Sequence, residues 1–369
     1  MKIAMVGFRG IPHTYGGGED LVRYLATGLV SRGHDVIVYC RYNLFKNHDK
    51  YYKGVRRIFL PTIEHKFIGQ LFHAFFSIID LLFRKVDIIY IHTLPSGVYS
   101  IIPWIFNKRI VVNPNGFDWK RGKWGFIGKL YFRLSARICL FTAKEFITDS
   151  KTIRKYYLDT FNRDSTFVAY GTEIQKSENK EIINKYDVVG RDYYLIACRL
   201  VPENNIDLII KAFSQTNSKK KLLVAGDANF KNSWVHNLYS INDPRIKFLG
   251  HISDQNMLKE LHCNCFAYLH GHSMGGINPS LVKALGHENC VLALNTPYNS
   301  EVLISNNGVQ YGIFFEKDYR DLKKIIEKLE ADPSIADSYR QKATKRIYEA
   351  FTYGHIVSGY EKAFIKALK

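Results

Sequence analysis

The sequence predicts an α/β protein made of two doubly wound, Rossmann-like domains that face each other across a cleft. Three observations support this fold class. Short apolar runs alternate with helical segments in both halves, a glycine-rich loop follows a strand in each half, and a polar stretch separates the halves. The chain of 369 residues is long enough for two domains, each with its own core. Because parallel sheets bind ligands at the carboxyl ends of their strands, both glycine loops are expected at the cleft.

The first half opens with a strand, a helix and a second strand. Residues 2–8 form a nearly continuous apolar run, typical of a central parallel strand, and residues 36–40 form the next. Three glycines, Gly16, Gly17 and Gly18, precede the intervening helix and would let a ligand approach the backbone closely. The loop is too long for the dinucleotide-binding motif. Further strands are expected at 86–91, 109–113, 146–148 and 166–169, and helices at 67–83, 123–144 and 151–159.

A polar segment at 172–185 lacks apolar periodicity and is the best candidate for a linker. We therefore predict domains at 1–185 and 186–369, with the last helix packing back on the first domain. The second half repeats the alternating architecture. Strands are expected at 193–198, 221–225, 246–249 and 267–269, and helices at 206–213, 339–348 and 356–368.

The run from His270 to Leu285 is a polar, glycine-rich loop that turns directly into an amphipathic helix. The first N–H groups of a helix are unpaired and its dipole is positive there, so such a turn favours an anion. Plain connections also use glycine loops. At this point both interpretations remain open.

The net charge is +18, and most of it lies in the first half. Between Trp104 and Arg133, basic residues alternate with aromatic ones, and Asp118 is the single acid. This composition suits an anionic membrane surface or a nucleic-acid backbone, whereas a solvated face that maintains solubility is the plain alternative. We expect the membrane surface and no nucleic acid. The predicted membrane-facing residues are Lys120, Arg121, Lys123, Trp124 and Lys129.

Six scattered cysteines and a chain that runs from Met1 directly into a strand indicate a reducing cytoplasm. A cluster of His262, Cys263 and Cys265 with the histidines of the following loop could suggest a metal site. Its spacing fits no zinc pattern, and buried free thiols are common, so no metal is predicted.

Several sequence blocks follow one another along most of the chain. They lie at residues 7–12, 15–19, 33–41, 113–124, 199–205, 270–281 and 297–302. In this order they resemble the glycosyltransferase family 4 enzymes of the two-domain B-type fold, and more narrowly their bacterial rhamnosyltransferase branch. The resemblance implies retaining transfer of a deoxyhexose, most often rhamnose from a dTDP-sugar. The implied acceptor is a lipid-pyrophosphate-linked or nascent glycan of a capsule or lipopolysaccharide.

The resemblance also implies the site residues and a peripheral location on the inner face of the cell membrane. Donor-binding residues would be Arg199, Glu203, Asn204, His272, Gly275, Gly276, Asn278, Ser280 and Lys283. Residues for the acceptor or diphosphate would be Arg9, Gly16, Gly17, Gly18 and Asn115. Asp118 is the candidate catalytic residue that steers the acceptor hydroxyl. The nucleotide sugar would be a co-substrate, with no further cofactor and no obligatory metal.

Each assignment has a plainer alternative. Arg199 suits a diphosphate because a guanidinium binds phosphate oxygens bidentately, but it could instead form a surface ion pair with Glu203. Asp118 could pair with a neighbouring base, and His272 could be hydrogen-bonded inside its loop.

The chain departs from the family pattern at positions that matter for chemistry. Asn204 stands where the family has a phosphate-binding Lys, and Asn115 and Asp118 replace Asp and Glu. Lys283 replaces a Glu that holds nucleotide sugar hydroxyls, and a Lys cannot accept those hydrogen bonds. The donor is therefore held differently, or the chain is a catalytically impaired relative that binds sugar nucleotide or glycan as a scaffold.

Overall fold

The computed structural model describes residues 1–12, 17–63, 65, 68–120, 124–228 and 233–369. Two compact units are present. The first comprises Met1–Tyr170 and Tyr353–Lys369, and the second comprises Gly171–Thr352. Each is built on a largely parallel sheet, which confirms the predicted α/β class with two doubly wound sheets.

The sheet of the first unit has the strand order β3-β4-β2-β1-β5-β6-β7-β8. Its strands are β1 (Lys2–Val6), β2 (Asp35–Arg41), β3 (Tyr51–Tyr52), β4 (Val55–Leu60), β5 (Ile88–His92), β6 (Ile110–Asn113), β7 (Glu145–Thr148) and β8 (Thr166–Phe167). Its first helices are α1 (Gly17–Ser31), α2 (Ile68–Leu82), α3 (Leu94–Gly97), α4 (Ile101–Ile105), α5 (Phe126–Thr142) and α6 (Lys151–Phe161). Consecutive residues of β1 are fully buried, because both faces of a central parallel strand are covered.

The sheet of the second unit has the strand order β11-β10-β9-β12-β13-β14, with all neighbours parallel. Its strands are β9 (Tyr193–Ala197), β10 (Lys221–Ala225), β11 (Ile246–Gly250), β12 (Ala267–His270), β13 (Val291–Leu294) and β14 (Ile313–Phe315). Its helices are α7 (Ile206–Ser214), α8 (Ser233–Tyr239), α9 (Gln255–Asn264), α10 (Pro279–Gly286), α11 (Pro297–Leu303), α12 (Tyr319–Ala331) and α13 (Pro333–Ala350).

The polar segment at 172–185, predicted as a linker, belongs to the second unit. The observed boundary between the units therefore lies at Tyr170 and not at the predicted residue 185. The N–H of Thr172 donates to the carbonyl of Phe351 over 2.9 Å. Further along, the N–H groups of Glu178 and Asn179 donate to the buried carboxylate of Glu260 over 2.7 and 3.0 Å. Polar contacts with an internal carboxylate hold this segment, which explains why it shows no apolar periodicity.

The last helix, α14 (Tyr353–Leu368), belongs to the first unit and packs against α1. Gly28 permits this contact, since a Cβ built there would lie 2.6 Å from the Val357 side chain. Tyr24 and Tyr353 stack with their ring centroids 3.7 Å apart. The chain end thereby brings Tyr360 into the core of the first unit, beneath the strand ends considered next.

Candidate functional site

Each sheet has a point at which the order of its strands reverses. In the first unit β1 lies between β2 and β5, and in the second unit β9 lies between β10 and β12. Open parallel sheets bind ligands in the crevice outside the carboxyl ends of the strands at such a point. The candidate sites are therefore the carboxyl ends of β1 and β5 in one unit, and of β9 and β12 in the other.

His92 ends β5 at the first of these points and is 2% exposed. Its ring stacks on Phe8, with centroids 4.6 Å apart and planes inclined by 10°. Nδ1 lies 2.9 Å from the Tyr90 hydroxyl, whereas Nε2 has no hydrogen-bond partner among the described residues. A Cβ built on Gly18, in the first turn of α1, would be 3.4 Å from this Nε2. The unpaired nitrogen therefore lies beside the predicted glycine loop.

A chain of buried hydrogen bonds fixes the tautomer of His92. The N–H of Asn115 donates to Asn113 Oδ1 over 2.9 Å, so the Asn113 amide nitrogen is the donor to the Tyr360 hydroxyl at 2.9 Å. The Tyr360 and Tyr90 hydroxyls are 3.1 Å apart. A buried O–H without an acceptor costs about 1–3 kcal/mol. Both tyrosine O–H groups have an acceptor only if Tyr360 donates to the Tyr90 oxygen and Tyr90 donates to His92 Nδ1. His92 therefore carries its proton on Nε2.

Burial lowers the pKa of His92 to about 3, so its imidazole is neutral at physiological pH. A neutral Nε2–H can donate a hydrogen bond to a hydroxyl or phosphate oxygen of a ligand. The next residue, Thr93, has φ of 71°, a strained conformation for a β-branched side chain. Its hydroxyl accepts from Gln70 Nε2 at 2.9 Å, and its N–H donates to the Asn113 carbonyl at 2.8 Å. Strain at a strand end in a ligand crevice is a common feature of binding sites.

The exit of β1 is closely packed against β5. Gly7 has φ of 100°, and a Cβ there would be 2.2 Å from the carbonyl oxygen of His92, so only glycine fits. Arg9, predicted to contact the acceptor or diphosphate, has Nη1 3.7 Å from Glu19 Oε1. Burial raises the pKa of Glu19, which makes the partner charge on Arg9 important for keeping this carboxyl ionised.

Asn115 and Asp118, also predicted as site residues of the first unit, follow the end of β6 in the chain. Asn115 has φ of 53°, and its Oδ1 accepts from the Tyr170 hydroxyl at 2.8 Å. Asp118 is half-buried and begins a short 3-10 turn that ends at Lys120. Lys129 lies half-buried in the first turn of α5. Gly17 begins α1. Gly16, Arg121 and Lys123 lie outside the described residues.

His270 occupies the corresponding position in the second unit, at the end of β12. It is 1% exposed, and neither ring nitrogen has a hydrogen-bond partner in the part of the chain that the structure describes. Burial lowers its pKa to about 3, and its ring stacks on the half-buried His272 with centroids 4.2 Å apart. Because buried polar groups are normally paired, this neutral imidazole indicates a ligand-facing position.

Arg199 follows β9 and has an exposed side chain. Asn204 Nδ2 donates to the Arg199 carbonyl over 2.8 Å, so this amide holds the loop. The N–H and hydroxyl of Ser273 both donate to the Glu203 carbonyl, over 3.0 and 2.8 Å. A Cβ on Gly271 would be 2.3 Å from the Asn204 carbonyl oxygen. The loops after β9 and β12 are therefore hydrogen-bonded to each other. These contacts fix the position of the Arg199 backbone.

The N–H groups in the first turn of α10 already donate hydrogen bonds to the cap residue Asn278. Asn278 Oδ1 accepts from the Ser280 N–H at 2.9 Å and hydroxyl at 2.8 Å. The next two N–H groups donate to the Asn278 carbonyl at 3.1 and 3.3 Å, and the first helical residue is a proline. An anion at this helix would therefore depend on the dipole, on Arg199, and on the loop backbone at Gly275 and Gly276. Gly275 has φ of 117°, which favours glycine there.

Lys283 lies half-buried one turn into α10, near two further histidines. Burial lowers the pKa of His287 to about 4, and the Lys283 charge acts in the same direction. Burial likewise lowers the pKa of His262, and the positive charge of Lys283 acts in the same direction. The imidazoles near this ammonium group are therefore neutral.

Among the described residues, no group of three or more His, Cys, Asp or Glu side chains could hold a metal ion. All six cysteines are free thiols. Burial raises the pKa of Cys265, a member of the His262–Cys265 cluster, to about 12.

Two α/β units, each built on a largely parallel sheet, agree with the two-domain architecture of B-type glycosyltransferases. The family profile described as Glycosyltransferase Family 4 matches residues 15–170, and the profile described as Glycosyl transferases group 1 matches residues 178–346. The chain therefore belongs to the family 4 glycosyltransferases of the B-type fold, as the sequence blocks implied.

Two curated relatives are similar over part of their length. The O-antigen chain mannosyltransferase RfbU of Salmonella typhimurium is 26% identical over 207 residues, which cover 55% of this chain and 57% of the relative. The capsular polysaccharide biosynthesis glycosyltransferase CapM of Staphylococcus aureus is 25% identical over 255 residues, covering 64% of this chain and 65% of the relative. The chain thus spans less than two thirds of the length of these relatives.

Solved structures share the fold over nearly the whole chain. HepE of Anabaena in complex with UDP has a TM-score of 0.77 at 18% identity, covering 99% of this chain and 100% of that one. Sucrose-phosphate synthase of Thermosynechococcus elongatus has a TM-score of 0.80 at 16% identity, covering 99% and 98%.

Proposed function

We propose that the chain is a retaining glycosyltransferase that moves a deoxyhexose, rhamnose from dTDP-rhamnose, onto a lipid-pyrophosphate-linked glycan of a bacterial surface polysaccharide. The observation that carries the proposal is the second-unit crevice, where the unpaired imidazole of His270 ends β12 and the exposed Arg199 follows β9. The names of the relatives, which concern O-antigen and capsular polysaccharide, support a surface glycan as product.

The donor would bind in the second-unit crevice. The Arg199 guanidinium would pair with diphosphate oxygens and stabilise the charge that develops on the leaving group. His270 and His272 would contact sugar hydroxyls or phosphate oxygens as neutral imidazoles, since burial keeps His270 unprotonated. A carboxylate is not needed for this binding, and the α10 dipole adds a favourable field for the anion.

Lys283 supports a dTDP-sugar over a UDP- or GDP-sugar. The family Glu at this position accepts hydrogen bonds from nucleotide sugar hydroxyls, and an ammonium group can only donate. A deoxyribose lacks the 2′-hydroxyl and so requires one acceptor fewer. The UDP held by HepE is the alternative nucleotide that the test must include.

The acceptor would bind at the first-unit crevice. The Nε2–H of His92 would donate to an acceptor oxygen, and Arg9 with the glycine loop would meet the pyrophosphate. Asp118 would orient the attacking hydroxyl, because it is the single acid between Trp104 and Arg133. Six free thiols support a reducing cytoplasmic compartment, and a lipid-linked acceptor implies a location at the inner face of the membrane.

A second candidate function is that of a non-catalytic scaffold that binds sugar nucleotide or glycan, which Lys283 and Asn115 favour because both depart from the family pattern. Competitive binding of dTDP-rhamnose, UDP-glucose and GDP-mannose to the purified chain tests the donor assignment. We expect dTDP-rhamnose to bind most tightly and to be consumed in the presence of a lipid-pyrophosphate acceptor. Equal affinity for all three nucleotides would contradict the dTDP assignment.

A further inference from the structure

Helix α2 carries apolar side chains on two sides. Its inner side is buried and includes Ala74, Ile78 and Leu81. A second stripe at helical spacing is exposed and consists of Ile68, Phe72, Phe75 and Phe76, followed by Phe83 after the helix end. One buried stripe is enough to anchor a helix, so the exposed stripe needs a separate explanation.

Two neighbouring helices extend this exposed surface. Trp104, Ile105 and Phe106 are exposed on and after α4, and Phe126, Ile127, Leu130, Leu134 and Phe141 are exposed on α5. Helix α4 contacts both α2 and α5. The ring centroids of Trp104 and Phe141 are 4.8 Å apart. The ring centroids of Phe75 and Tyr99, which precedes α4, are 5.6 Å apart. We call these exposed residues of α2, α4 and α5 the aromatic face.

The size of the aromatic face exceeds ordinary surface hydrophobicity. Phe126 and Ile127 are each 82% exposed, and Phe83 is 84% exposed. At roughly 200 Å² for a fully exposed aromatic side chain, the aromatic residues of the face alone present on the order of 900 Å² to solvent. Contiguous apolar patches on monomers are typically about 300–600 Å², and larger ones mark interaction surfaces.

Positive charge accompanies the apolar residues. Helix α5 carries Lys129, Arg133 and Arg137 and no acidic residue. Arg133 and Arg137 are exposed one turn apart, between the exposed apolar residues of the same helix. Basic and aromatic side chains on one helix surface match the chemistry of an anionic headgroup layer above acyl chains.

We propose that the aromatic face docks on an anionic lipid bilayer, with the Phe, Trp and Ile side chains entering the interface and Arg133 and Arg137 contacting lipid phosphates. A second copy of the chain is disfavoured because a twofold interface would bring the α5 bases of both copies together without acids on that helix. None of the described helices is both long and apolar enough to cross a bilayer, so the face lies on the membrane. Docking requires no catalysis, although its use to meet a lipid-linked acceptor rests on the proposed function.

This surface extends beyond the residues that the sequence predicted to face the membrane, which are Lys120, Arg121, Lys123, Trp124 and Lys129. The Trp124 ring packs against Phe132, with centroids 4.9 Å apart, and Trp124 is half-buried. Membrane contact by Lys120, Arg121 and Lys123 stays a prediction, and the docking residues proposed from the structure are the exposed ones of α2, α4 and α5.

Co-sedimentation of the full chain with vesicles, without nucleotide sugar, tests the proposal. Vesicles of phosphatidylcholine alone are compared with vesicles containing about one third phosphatidylglycerol. We expect binding to the anionic vesicles. The double variant Phe126→Ser, Ile127→Ser should lower the partition coefficient at least tenfold on both compositions, because these exposed side chains contribute to insertion and not to the core. The double variant Arg133→Glu, Arg137→Glu should lower it at least tenfold on anionic vesicles and little on neutral ones.

Matched controls lie in the second unit. Tyr348→Ser removes an aromatic side chain that is 66% exposed, and Lys324→Glu with Lys328→Glu reverses two exposed charges one turn apart. Both controls should keep wild-type partition. Unchanged partition in the α5 variants would overturn the proposal, and so would a concentration-dependent dimer that those variants abolish without any vesicle binding. Because no sugar donor is present, failure here leaves the transferase proposal intact, and a catalytically inactive chain that binds vesicles leaves the docking proposal intact.

Discussion

Tyr90→Phe tests the assignment of His92 as a neutral donor on its Nε2. The substitution removes the O–H that donates to His92 Nδ1 over 2.9 Å and the oxygen that accepts from Tyr360 over 3.1 Å. It keeps the ring, whose centroid lies 5.4 Å from that of Tyr360. The Tyr360 hydroxyl then lacks its acceptor in a fully buried position, which costs about 1–3 kcal/mol. For a unit of this size each kcal/mol lowers the Tm by about 2–4 °C, so we expect a decrease of roughly 2–12 °C.

The tautomer itself is measured by ¹⁵N NMR of histidine-labelled protein. In the wild type we expect the Nε2–H pattern for His92 at neutral pH and no protonation above about pH 4, because burial holds its pKa at about 3. In Tyr90→Phe the imidazole loses the donor at Nδ1, and we expect a mixture of the two tautomers. An Nδ1–H pattern in the wild type, or a His92 that titrates near pH 6.5, would refute the hydrogen-bond chain.

Tyr157→Phe is the matched control, because Tyr157 is fully buried in the same unit and its hydroxyl has no hydrogen-bond partner among the described residues. It should leave the His92 spectrum unchanged and should not lower the Tm. If Tyr90 acts through His92, its effect on kcat/KM, about tenfold for one lost hydrogen bond, should vanish in a His92→Phe background. Independent, multiplicative losses would show that Tyr90 has a purely structural role.

Three further outcomes are expected. Arg199→Ala should weaken dTDP binding about 10–100-fold, measured by calorimetry, because it removes a hydrogen bond from a charged donor. The control Arg320→Ala, at an exposed position of α12, should leave the affinity unchanged. Equal affinities of the two variants for dTDP would show that Arg199 is not part of the site. Lys283→Glu restores a carboxylate acceptor and should shift the preference from dTDP- toward UDP-sugars in a competition assay, and an unchanged preference would contradict the proposed role of Lys283. Stability should also depend on pH, because His92 and His270 have a pKa of about 3 in the fold and about 6.5 when unfolded. Their contribution to the free energy of unfolding is complete above about pH 6.5 and decreases by about 1.4 kcal/mol per pH unit for each histidine as the pH falls toward 3. Denaturant unfolding curves at pH 7 and pH 5 should therefore differ. Coincident curves would contradict the burial of these histidines in the neutral form.

The strands and the main loops could be predicted because their signals are local. The apolar run at residues 2–8 can be recognised without knowledge of any tertiary contact, and the glycine-rich loop after His270 is likewise visible in the sequence. The histidine sites could not be predicted in the same way. No motif marks His92 in the sequence, although a polar residue at the end of a buried strand is the signal that could have identified it. Its hydrogen-bond chain joins Tyr90 to Tyr360, 270 positions away, and depends on tertiary packing.

The domain boundary shows the reverse case, in which a local signal was misleading. The segment 172–185 has the composition of a linker, but the carboxylate of Glu260 accepts hydrogen bonds from its backbone. Similarly, one interpretation of the sequence is that the helix after the glycine-rich loop offers unpaired N–H donors to an anion. In the structure Asn278 already accepts the first of them, a competition that only the cap geometry reveals.

Transfer by the purified chain to a lipid-pyrophosphate-linked acceptor tests the proposed function most directly. We expect dTDP-rhamnose to be consumed and NMR of the product to show a new rhamnosyl linkage that retains the anomeric configuration of the donor. Neither transfer nor hydrolysis of any dTDP-, UDP- or GDP-sugar, in a chain that still binds nucleotide, would contradict the transferase assignment and identify a non-catalytic binder.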